Sequence, residues 1–126
     1  MPLSVETTVG PILGAIIMTI IWASVIFLYL AVPFVEEVFF RGFAYPAFKR
    51  LLPPLPSILL VSAFFVLWHS KIFKDPLAIP SLFLYSSALT VFYEKTRSLT
   101  LCIITHLTTN VTVFTISTII MNIKVI

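Results

Sequence analysis

A chain of 126 residues that is 60% hydrophobic and only 10% charged does not have the composition of a soluble domain, in which about a quarter of residues are charged. Its net charge of +3 comes from eight scattered lysines and arginines; no basic stripe runs along one face, so nothing points to nucleic acid as a partner. One domain, 1–126, is expected, with room for four to five membrane helices at ~20 apolar residues per span.

In chain order, "MPLSVETTVG" has no basic region ahead of the apolar stretch, which argues against a cleaved signal peptide and for a permanent first helix. Residues 11–32, "PILGAIIMTIIWASVIFLYLAV", carry no charge and read as a transmembrane helix. Pro33 follows, and "FVEEVFFRGFAYPAFKRLL" stays apolar apart from Glu36, Glu37 and Arg41 until Lys49 and Arg50. About 40 helical residues would reach ~60 Å, twice a hydrocarbon core, so a kink or break at Pro33 is expected, with the glutamates just past it.

"PPLP" (53–56) reads as a rigid turn outside any helix interior, and 57–70 as a short apolar helix carrying His69 at its end. "KIFKDP" (71–76) is a loop, 77–93 another apolar helix, "EKTRS" (94–98) a turn and 99–123 the last span. The expected architecture is an all-α, polytopic transmembrane helix bundle, a multi-pass integral membrane protein whose first partner is the lipid bilayer. Lys49, Arg50, Lys95 and Arg97 would share one membrane face and Lys71, Lys74 and Lys124 the other, a bias too small to set orientation. The single cysteine, Cys102, cannot form an internal disulfide and reads as an apolar packing residue.

Ionisable residues within the spans are few: Glu36, Glu37, Arg41, His69 and His106, joined by the polar Asn110. Each charge at membrane depth costs at least ~2.5–3.5 kcal/mol on insertion scales, which makes such residues functional candidates facing the bundle interior. Glu37 and Arg41 are one helical turn apart and can neutralise each other. Glu36 points about 100° away, so it is the carboxylate left to act. The bland reading is one ion-pair cluster tying two helices together. His106 and Asn110 also share a face and offer donors to a single point, as an oxyanion requires, or else form a plain interhelical hydrogen bond. Phe65 lies one turn before His69 and could pack on the imidazole; His69 alone would pass for an interfacial residue. Most threonines of the last helix read as packing, bonded back to their own backbone, while Thr109 lies on the side of His106 and Asn110 and could line a wet cavity.

If these sets converge, the pocket suits hydrolysis. Glu36 would take a proton from water, His69 would help hold that water, and His106 with Asn110 would stabilise the oxyanion. Glu36, His69 and His106 also match a catalytic zinc set with an open position, although no H-E-x-x-H is present. A serine nucleophile is disfavoured, since no serine has a G-x-S-x-G setting.

"EEVFFR" (36–41), "FVLWH" (65–69) and "HLTTN" (106–110), in that order on successive membrane helices, resemble the CPBP or abortive-infection family of intramembrane proteases, which includes the type II CAAX prenyl endopeptidases. The resemblance covers roughly 31–113. It implies an all-helical membrane fold with a cavity open to bilayer and water, and hydrolysis of a peptide or membrane-protein substrate, prenylated at its C-terminus if eukaryotic-like. It implies catalytic roles for Glu36, supported by Glu37 and Arg41, for His69, and for His106 with Asn110. It leaves a divalent metal such as zinc and a metal-free glutamate mechanism both open. Members commonly carry more helices ahead of the glutamates than the one found here, so a minimal core, a fragment or a truncated relative is expected. They also tend to have glycines in the penultimate helix, where this chain has "SLFLYSSALTVFY". A non-catalytic immunity or scaffold protein of the same fold and a small ion transporter are the alternatives.

Overall fold

The structure, a computed structural model, describes residues 5–69 and 75–123. All regular structure among these residues is helical. Helix α1 covers Val5–Glu37 and passes into a π-helical segment, Val38–Ala44. Helix α2 covers Tyr45–Lys49, α3 Pro54–Trp68, α4 Ala78–Thr96 and α5 Leu99–Ile123. The loop lysines Lys71 and Lys74, and Lys124, lie outside the described residues. Two helical stretches, Val9–Lys49 and Leu99–Ile123, are long and apolar enough to cross a membrane, with mean hydropathy 2.5 and 1.5. Helix α3 is as apolar but shorter than a full span.

The chain divides into two compact units between Val32 and Pro33. In the first, two hydroxyls are turned back on the helix: Thr19 Oγ1 donates to the Ala15 carbonyl and Ser24 Oγ to the Ile20 carbonyl, both at 2.8 Å. An apolar helix can carry such groups into lipid because none is left unpaired.

The second unit corrects three expectations. The helix is not broken at Pro33: α-helical winding continues through it to Glu37, and the departure from α geometry comes after the glutamates, at Val38–Ala44. There the Tyr45 backbone N–H bonds the Phe40 carbonyl, five residues back. Helix α3 begins at Pro54 rather than at Ser57, because Pro53 is extended (ψ 161°) and Pro54 and Pro56 fall in the first turn, where a missing N–H costs nothing. Helix α4 runs on to Thr96 and stops only at Arg97, which takes the left-handed conformation (φ 54°) and bonds its N–H to the Tyr93 carbonyl.

Helix α3 packs against α4 and α2, while α5 packs against α4 and the π-helical segment. The core is aromatic at its centre, with Phe40, Tyr45, Ile58, Val61 and Phe65 buried together and Phe48, Leu82 and Tyr93 against them. Ser62 on α3 and Ser86 on α4 are completely buried, the small residues that let helices in lipid approach closely. Six threonines of α5, from Thr105 to Thr118, bond their hydroxyls to the carbonyl four residues back.

Candidate active site

Arg41, on the π-helical segment, is completely buried within the second unit, as is Glu37. Arg41 Nη1 donates to Glu37 Oε1 at 2.8 Å. Its Nη2 donates to the carbonyl and to Oγ of Ser86, at 3.0 and 2.9 Å. The guanidinium also stands 5.1 Å from the centroid of the Phe65 ring, a cation–π contact in dry surroundings. Arg41 therefore joins the glutamate segment, α3 and α4 at one point.

Glu37 Oε1 receives a second donor, His106 Nδ1 at 2.7 Å, from α5. Glu36 lies beside this pair and is 7% exposed. Its two oxygens face different imidazoles: Oε1 is 3.3 Å from His69 Nε2 and Oε2 is 3.8 Å from His106 Nε2. His69 closes the C-terminal end of α3, with Nδ1 2.8 Å from the Phe65 carbonyl. A carbonyl only accepts, so His69 Nδ1 carries the proton. Glu37, ion-paired with Arg41, likewise accepts from His106 Nδ1. Both histidines thus have their Nδ1 protons committed, and both turn Nε2 toward Glu36.

Phe65 holds these rings in place. Its centroid is 4.6 Å from that of His69, 6.1 Å from that of His106 and 4.9 Å from that of Phe40. Asn110 follows His106 by one turn and is half-buried. It has no hydrogen-bond partner among the described residues, so its amide is available to a ligand.

Five of the six residues singled out in the sequence thus meet through direct contacts, and the sixth lies one turn along α5. The zinc alternative fares differently. Among the described residues no three histidine, cysteine or acidic side chains gather into an arrangement that could hold a metal ion. His69 and His106 instead address separate oxygens of Glu36. The arrangement does not fit a bound zinc ion.

Two participants escaped the sequence reading. Ser86 receives both bonds of Arg41 Nη2, and Tyr85 sets its ring edge-on to His106, with centroids 5.6 Å apart. The serine–alanine stretch of α4 suggested only close packing. One of Arg41's two acceptors there is a backbone carbonyl, which no residue type announces.

With this geometry established, comparison with known proteins gives one finding. The family model described as Type II CAAX prenyl endopeptidase Rce1-like matches residues 17–112, a span that contains Glu36, Glu37, Arg41, His69, His106 and Asn110. No curated protein and no solved structure matches the chain.

Proposed function

The chain belongs to the Rce1-like family of type II CAAX prenyl endopeptidases, a family of membrane-embedded proteases, and we propose that it is a multi-pass intramembrane endopeptidase that hydrolyses a peptide bond with water activated by Glu36. The observation that carries this reading is the buried carboxylate of Glu36 facing Nε2 of two histidines from two other helices. A structural tie needs one partner for each charge, and Glu37 already fills that role for Arg41. The substrate is a peptide or membrane protein, and the family's name makes a prenylated C-terminus the first to try.

In this mechanism a water held between Glu36 and His69 Nε2 attacks the scissile carbonyl carbon. Its proton passes to Glu36, a C–O bond forms, and the carbonyl electrons move onto oxygen. Asn110 donates to that oxyanion from its amide. His106 donates from Nε2 once it carries a second proton, and the imidazolium is stabilised through Nδ1 by Glu37. Collapse of the intermediate breaks the C–N bond, and Glu36 returns its proton to the departing amine. Positioned acid–base groups of this kind contribute about 10²–10⁴ in rate.

The test compares Glu36→Gln with wild type on a quenched fluorescent peptide ending in a prenylated cysteine and three further residues, in detergent. Turnover should fall by at least about 10² while the melting temperature holds. Unchanged turnover in the variant would defeat the proposal. Equal loss of stability and turnover would favour the non-catalytic cluster.

A further inference from the structure

The geometry points to Tyr85 as a further oxyanion donor, placed by α4 against His106. This rests on the hydrolytic reading above and deepens it. Tyr85 is half-buried, yet its hydroxyl is fully buried and has no hydrogen-bond partner among the described residues. A buried hydroxyl left unpaired bears its desolvation penalty without compensation, so the position asks for an explanation.

The location supplies one. The ring edge rests on His106 at 5.6 Å and 67°. Thr109 on α5 is near the hydroxyl, with its own proton donated to the Thr105 carbonyl, but no hydrogen bond joins the two side chains. Residues 106, 109 and 110 share one face of α5, being three and four positions apart. The phenol therefore stands over the face that presents His106 and Asn110. The charges of Glu36, Glu37 and Arg41 on the glutamate segment act on the phenol electrostatically, and His106 touches its ring from α5.

A phenol is a good donor to an oxyanion, because developing negative charge strengthens the hydrogen bond while the neutral ground-state carbonyl gains little. Tyr85 would thus act on the same oxygen as Asn110. The proton stays on the phenol throughout, so the balance of the hydrolysis is unchanged.

The experiment pairs Tyr85→Phe with wild type and Glu36→Gln on the same prenylated quenched peptide, and adds binding of a phosphinate peptide that mimics the tetrahedral intermediate. The expected result for Tyr85→Phe is a fall in kcat of about 10²–10³, an unchanged KM, an unchanged melting temperature and a matching loss of phosphinate affinity. A merely structural tyrosine would not weaken the phosphinate selectively. Should Tyr85→Phe fold poorly, 2,3-difluorotyrosine at position 85 keeps the ring and the hydroxyl but ionises more readily. The alkaline limb of the rate profile should then move to lower pH. Wild-type kcat and phosphinate affinity in Tyr85→Phe, or an unmoved alkaline limb in the fluorinated protein, overturns the inference. If Glu36→Gln is inactive at the same time, the proposed function survives that result. A wild type no faster than Glu36→Gln overturns both.

Discussion

Arg41 and Glu37 show what charge is doing at this depth. Both are fully buried and bonded to each other, yet Glu37 Oε2 and Arg41 Nε have no protein partner among the described residues. A buried pair left partly unsatisfied is a poor stabilising device, which is why its placement against His106 matters more than its own energy. Removing one member strands the other, at a cost of about 3–5 kcal/mol. Arg41→Leu should therefore lower stability by that amount, read as loss of the cooperative melt in detergent. Arg41→Lys should rescue little, because an ammonium cannot reach Glu37 and both Ser86 acceptors as a planar fork does. Glu36→Gln should be far milder, since the amide keeps the size and both neighbouring imidazoles keep their Nδ1 bonds. At this scale the sequence was informative where partners are one turn apart, as Glu37 with Arg41 and Phe65 with His69 are. It was silent on Glu37 with His106, 69 positions apart, because that contact exists only once α5 has docked.

The helices themselves were legible from apolar runs, and their ends less so. Proline was an uneven guide. At 33 it predicted a kink or a break, and the helix is unbroken there; at 53–56 it predicted a turn where it in fact opens a helix. In both places a proline's cost depends on whether a hydrogen bond is lost, and composition does not reveal that. The π-helical winding of Val38–Ala44 had no signal at all; such segments collect at functional sites, and this one delivers Arg41 to Ser86. The end of α4 offers a clean test. Arg97 is the only non-glycine residue with positive φ among those described, and a side chain there costs roughly 1–2 kcal/mol. Its ion pair to Glu94 at 2.8 Å is largely exposed and worth at most about 1 kcal/mol. Arg97→Gly should leave the protein as stable or up to about 1 kcal/mol more stable, with the added freedom of the unfolded chain offsetting part of the gain. A clear loss in urea or thermal melts would mean that the ion pair outweighs the strain.

Across the second unit, one contact set joins elements far apart in the chain. Glu94, at the end of α4, takes Lys49 Nζ at 2.6 Å and the Tyr45 hydroxyl at 2.8 Å from α2, together with Arg97 Nη2. Lys49 and Arg97 thus share one acidic partner. Chiefly through the Lys49 hydrogen bond, and then through Tyr45 and Arg97, the Glu94 carboxyl is held below its ordinary value of 4.5, against the opposing effect of burial. A carboxyl whose folded pKa is depressed adds stability that is fully present above the unfolded value and is lost as pH falls through the folded one. Stability in detergent should therefore be flat near neutrality and decline as pH drops below about 4.5. Glu94→Gln should remove part of that decline and lower the plateau only slightly, because the contacts are about a quarter exposed and solvent screens them. Thermal melts of both proteins from pH 7 to pH 3, taken as the difference between them, isolate this term from the other carboxylates. An identical pH dependence would mean that Glu94 titrates alike in the folded and unfolded chains, and the clasp between α2 and α4 would then rest on aromatic packing of Tyr45 against Tyr93 rather than on charge.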